Sequence, residues 1–141
     1  MSKTVDLAEK QVGKGGKKFL EYCGIHQMTD WCGAFVYWCI KKSDEYKYIK
    51  LKNNPLWVPN ILKWGRKKKL LIEPEKMRPG DVVLFDFNGN GTPDHVGICR
   101  KIPKAGTLYT IEGNTGQWPG VVTKKKRSFH DVLVVLRLKK K

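Results

Sequence analysis

A chain of 141 residues, 40% of them hydrophobic, is long enough to bury a core of its own and too apolar to be a disordered chain. Its 28 Lys and Arg against 13 Asp and Glu give a net charge of +15, which points to anionic partners: nucleic acid, an acidic membrane, or a wall bearing anionic polymers. The longest apolar run falls far short of a membrane span, and the polar start from Met1 to Gly16 lacks the apolar core and cleavage site of a secretory leader; the expectation is a protein made in the cytosol, with no transmembrane segment.

Val5, Ala8 and Val12 fall on one face of a first helix, with Thr4 as its N-cap and Gly13 as its stop. Gly13 to Gly16 is a break, and a second helix follows over Lys17 to Tyr22. Cys32 to Lys42 is apolar almost throughout before its two lysines, the pattern of a buried helix with cations at its negative end, and Thr29 or Asp30 is placed to cap its start. Two prolines make Asn53 to Pro59 a loop, after which Asn60 to Lys69 reads as a basic helix turning Ile61, Leu62 and Trp64 inward. Beyond it the period changes. The turn Arg78-Pro79-Gly80-Asp81 leads into the β-rich run Val82 to Phe85, Asn88 to Pro93 is a second turn, and His95 to Cys99, Thr107 to Glu112 and Val132 to Leu138 read as strands. Helices first and strands later predict an α+β fold, N-terminal helices packed on a C-terminal antiparallel sheet. Neither repeat nor linker divides the chain, so residues 1–141 are expected to form one domain, as a monomer. Basic residues gather at Lys41-Lys42, Arg66 to Lys69, Lys124 to Arg127 and Lys139 to Lys141, runs that read as solvated surface. The four cysteines include no CxxC pair, which argues against structural zinc, and a reducing site of synthesis predicts free thiols.

Cys32 stands at the start of the buried helix, where the positive end of the helix dipole favours the thiolate, the attacking species. Cys39 lies two turns along the same face and reads as core. His95 opens an apolar strand whose alternation sends Val96 and Ile98 to the core and His95, Gly97 and Cys99 to the other side. Gly97 leaves space beside His95 for a substrate or a facing helix. His26 and His130 have no such setting and read as structural. A base needs a third group to hold its ring, and alternation turns the adjacent Asp94 away. The next strand supplies a better one in Glu112, with Asn114 on the same face if the strand persists. Asp86, Asn88, Asn90 and Asp94 occupy positions 1, 3, 5 and 9 of a loop patterned like a calcium-binding EF-hand, but Gly97 stands where the bidentate glutamate belongs; a hairpin turn of Asx and Gly residues is the alternative.

Four stretches, in order, resemble the motifs of CHAP domains: Asp30-Trp31-Cys32-Gly33-Ala34-Phe35-Val36-Tyr37-Trp38-Cys39, Arg78 to Phe85, Asp94-His95-Val96-Gly97-Ile98, and Ile111-Glu112-Gly113-Asn114-Thr115. The resemblance implies a papain-like fold and cysteine-dependent hydrolysis of an amide bond in bacterial peptidoglycan, by an N-acetylmuramoyl-L-alanine amidase or an endopeptidase. It implies Cys32 as nucleophile, His95 as base and then acid, Glu112 as the residue that orients His95, and Asn114 as its assistant. Similar loops in the family suggest structural calcium at Asp86 to Asp94, with no cofactor needed for the chemistry. Phage endolysins are the members it looks most like, acting on the wall, with anionic wall polymers rather than nucleic acid as further partners. The alternatives are a papain-like amidase toxin and a basic module binding wall polymer or nucleic acid.

Overall fold

The computed structural model describes residues 2–47 and 57–141. Four helices come first: α1 (Lys3–Glu9), α2 (Lys17–Tyr22), α3 (Cys32–Ser43) and α4 (Val58–Lys67). Six strands follow: β1 (Leu71–Ile72), β2 (Val82–Phe85), β3 (His95–Lys104), β4 (Thr107–Thr115), β5 (Val121–Ser128) and β6 (Val132–Leu136). They form one antiparallel sheet in the order β1-β6-β2-β3-β4-β5. The α+β expectation therefore holds, with the helices preceding the sheet.

The helix spans follow the apolar pattern, while their caps differ from expectation. Ser2, not Thr4, caps α1, accepting a hydrogen bond from the Val5 amide; Thr4 is buried and its hydroxyl and amide reach Glu45 Oε2 instead. The helix ends at Glu9, short of Gly13, because the chain is drawn off to the sheet, where the Gly13 amide donates to the Val122 carbonyl. α2 and β2 match their expected spans. Of the loop expected over Asn53 to Pro59, residues 53–56 lie outside the described residues, and Pro59 belongs to the first turn of α4, where its missing N–H leaves no bond unmade. Ile61 and Leu62 of α4 are buried and Trp64 packs against the core, as expected.

Two strands were not foreseen. β1 is only two residues long, and β5 carries the run Lys124-Lys125-Lys126-Arg127, which reads as surface charge and hides a strand. Its alternation places Lys124 and Lys126 outward and leaves Lys125 and Arg127 half-buried. The sheet has a core on each face. On one side α1 and α3 pack on β3 and β4, α2 packs on α3, and Val82, Leu84, Val96, Ile98 and Ile111 join the helices' apolar residues in one core. On the other, Met77, Val83, Phe85, Cys99, Leu108 and Val135 form a smaller cluster.

Two glycines set how closely the layers meet. A Cβ on Gly113 would stand 2.7 Å from Trp31 and 2.9 Å from Phe35, so a bare backbone there lets the start of α3 lie against β4. Trp31 is fully buried, stacks on Phe19 with ring centroids 5.7 Å apart, and donates from its indole to the Pro119 carbonyl at 2.8 Å. These contacts fix the start of α3, and with it Cys32, against the sheet. A second polar clasp holds the turn before β2: Arg137 donates from Nε and Nη2 to the Asp81 carboxylate at 3.0 and 2.9 Å.

Candidate active site

The first residue of α3 and the first residue of β3 meet. Cys32 and Glu112 both act on the His95 ring, each raising its pKa, and His95 Nε2 lies 2.8 Å from Glu112 Oε1, which leaves Nδ1 as the ring nitrogen for the thiol. Three residues from three elements thus form a chain of contacts in the order thiol, imidazole, carboxylate. Phe87 and Phe85 flank the imidazole at centroid distances of 5.9 and 6.1 Å and limit its rotation.

Glu112 is the most tightly held member. Its side chain is fully buried, yet it is surrounded by donors. Arg127 approaches side-on, with Nη2 donating to Oε1 at 2.6 Å and Nε to Oε2 at 3.0 Å, and the Thr110 hydroxyl makes a short bond to Oε2. Burial alone would push the Glu112 carboxyl up, but the hydrogen bonds from Arg127, His95 and Thr110 win and hold it at about 2. Burial alone would likewise push the His95 imidazole down, yet hydrogen bonds and charge from Cys32 and Glu112 raise it to about 9. At neutral pH His95 therefore carries its proton and Glu112 does not. Neither Arg127 nor Thr110 is visible as a site residue in the sequence. The only signal is the alternation of Thr123, Lys125 and Arg127 opposite Glu112, Thr110 and Leu108, and it appears once β5 is known to pair with β4.

The space beside Gly97 is not open to a substrate, as the sequence suggests. A Cβ there would stand 2.7 Å from Glu112 Cγ, so the glycine makes room for the carboxylate that orients His95. Asn114 lines the same cleft as His95, with its amide nitrogen turned to Asp30. β4 and β5 lose register between Glu112 and Thr115, and Asn114 adopts φ +62°, so regular alternation stops before it. Its Nδ2 lies 3.5 Å from Asp30 Oδ1, which also accepts from the Trp118 indole at 3.1 Å. Asp30 is consequently not the cap of α3; that position falls to Trp31, and among the described residues no side chain caps the helix. The first N–H groups of α3 are thus left without a side-chain acceptor beside Cys32.

A cleft of about 440 Å³ runs against His95, walled by Phe87, Asn88, Asp94, Asn114, Lys125 and Arg127. Cys32 is 4% exposed and is not part of that wall. The other thiols sit elsewhere: Cys39 and Cys99 are fully buried, burial pushes both thiols up, Cys99 to about 12, and Cys23 is half-buried. All four are free.

The loop from Asp86 to Asp94 is closed by its own backbone. Asp86 accepts from the amides of Gly89, Asn90 and Gly91, Asp94 from those of Phe87 and Asn88, and Asn90 from Thr92. Both oxygens of each carboxylate are engaged, and among the described residues no three His, Cys, Asp or Glu side chains gather as a metal cage. These bonds close the loop as Asx turns.

No helix among the described residues is long and apolar enough to cross a membrane. No curated protein matches the chain. A family model described as CHAP domain matches residues 24–114, a stretch that takes in Cys32, His95, Glu112 and Asn114 and well over half of the sequence, and the chain belongs to the CHAP domain family.

Proposed function

We propose that this protein hydrolyses an amide bond of bacterial peptidoglycan, with Cys32 as nucleophile. The family is one of amidase and peptidase domains of the peptidoglycan-hydrolase type. The observation that carries the reading in this chain is His95 held at 2.8 Å by the buried Glu112 carboxylate and raised by the Cys32 thiol beside it.

The chemistry follows acyl transfer. Cys32 Sγ, in its thiolate form, attacks the carbonyl carbon, and the proton of the thiol resides on His95. The oxyanion that forms lies at the start of α3, where the Cys32 amide is a donor and the helix dipole is favourable. His95 then gives its proton to the leaving nitrogen, the C–N bond breaks, and a thioester remains. Water attacks the thioester while His95 takes up its proton, and the C–S bond breaks to release the carboxylic acid and restore the Cys32 thiolate beside protonated His95. Glu112 keeps the imidazole in the tautomer and orientation that serve both transfers. Asn114 borders the cleft beside His95 and holds Asp30 in the loop leading into α3.

The reading places the protein at the bacterial wall, as in phage endolysins, with anionic wall polymers as a second partner drawn by its charge. Trp31, Trp38, Phe19 and Phe35 are buried and pack on one another, which removes them as stacking platforms for nucleic acid, whereas Trp57, Phe87 and Trp118 are exposed. Mass spectrometry of purified peptidoglycan digested with the protein tests the proposal. New N-acetylmuramic acid ends paired with free L-alanine amines mark an amidase, and new peptide ends mark an endopeptidase. Intact peptidoglycan after exhaustive digestion contradicts both.

A further inference from the structure

We propose that Arg127 is a positioning residue of the site: its guanidinium clamps the Glu112 carboxylate in the orientation that presents Oε1 to His95, and through that carboxylate it sets the reactivity of Cys32. The inference rests on the reading of Cys32 as nucleophile and is independent of which bond is cut.

Glu112 offers two oxygens in a fully buried position, and it reaches His95 with only one of them. Left alone, such a carboxylate would turn or take up a proton, because burial disfavours its charge. Arg127 prevents both. Its planar fork spans the two oxygens at 2.6 and 3.0 Å, a geometry that fixes the plane of the carboxylate, and its charge is permanent. The guanidinium is itself immobilised. It lies over the Phe87 ring at 4.8 Å and the Phe85 ring at 5.6 Å, the same two rings that flank His95. It is supplied by β5, on the face that β5 shares with Thr110 and Glu112 of β4. Arg127 also borders the cleft, so contact with a substrate is the rival role. Its Nε and Nη2 are already committed to Glu112, which favours the positioning role.

The test measures alkylation of Cys32 by iodoacetamide, located by mass spectrometry, in wild type, Arg127→Met, Glu112→Gln and the double variant, with circular dichroism to confirm the fold. Iodoacetamide is small and neutral, so its rate reports the Cys32–His95 pair and not substrate contacts. Each single variant is expected to slow alkylation of Cys32 by about tenfold or more. The double variant is expected to react no more slowly than Glu112→Gln, because Arg127 acts through Glu112. Where Arg127→Met alone is too unstable to assay, the comparison of the double variant with Glu112→Gln still decides, since the double variant removes both charges and Glu112→Gln leaves only the partly exposed Arg127 guanidinium without its partner. A folded Arg127→Met with the wild-type rate, or a double variant slower than Glu112→Gln by the further factor, overturns the proposal. A wild-type Cys32 that reacts no faster than Cys23 overturns the nucleophile reading itself, and the inference with it.

Discussion

Cys32 and His95 sit on different elements 63 positions apart, and each is the first residue of its own. Cys32→Ala is expected to lower hydrolysis by about three to four orders of magnitude with the fold retained, as for other nucleophile deletions, while Cys39→Ala and Cys99→Ala keep activity and lose some stability; rates and melting temperatures together check this. The same pairing has a signature in titration. His95 is raised to about 9, partly by Cys32, so nuclear magnetic resonance should find it lower in Cys32→Ala. Because the folded value exceeds the ordinary 6.5, the stability His95 contributes is full below pH 6.5 and fades as the pH climbs to 9. Glu112 behaves in the opposite sense, its contribution being full above pH 4.5 and lost as the pH falls towards 2. Denaturant midpoints of wild type and His95→Ala across that upper range should converge. Cys32, His95 and Glu112 were legible in the sequence because each stands where helix start or strand alternation gives it a reason. Arg127 was not, because it ends a run of lysines, and charge of that kind has the same composition whether it faces water or a buried carboxylate.

At the scale of elements, the apolar period found the four α-helices of the described residues and the four more apolar strands, since burial writes itself into hydrophobic spacing. It missed β5 because a strand whose outward residues are Lys124 and Lys126 and whose inward residues include Lys125 and Arg127 has no apolar alternation to read. It also missed the break in β4 at Asn114, since a bulge depends on the register of the partner strand. The Gly97 contact follows from that partnership too. Gly97→Ala would drive a methyl group into Glu112 Cγ, and the variant is expected to lose about 1–3 kcal/mol of stability and most of its activity, checked by denaturation and by peptidoglycan turnover. The Asp86 to Asp94 loop makes a separate prediction. If the loop takes calcium, as the family resemblance implies for Asp86, Asn88, Asn90 and Asp94, calcium should raise the melting temperature and chelator lower it; no response to either would mark the loop as a plain hairpin turn.

Across the whole molecule, the net charge of +15 gives long-range attraction to an anionic wall. Exposed charges are screened over about 8 Å at physiological salt, so adsorption to walls should weaken steeply as salt rises. The structure also separates which lysines of β5 belong to that surface. Lys124 and Lys126 face outward, and reversing them to Glu should reduce adsorption with little effect on a small soluble muropeptide, whereas changing Arg127 should impair both. Adsorption that is insensitive to salt would point to recognition of a specific sugar instead. All of this presupposes that the Cys32–His95–Glu112 chain cuts peptidoglycan. The most direct measurement is the release of soluble fragments from purified peptidoglycan by wild type and by Cys32→Ala side by side, each shown to be folded. The account predicts release by the wild type and essentially none by the variant; equal release by both, or release by neither, would contradict it.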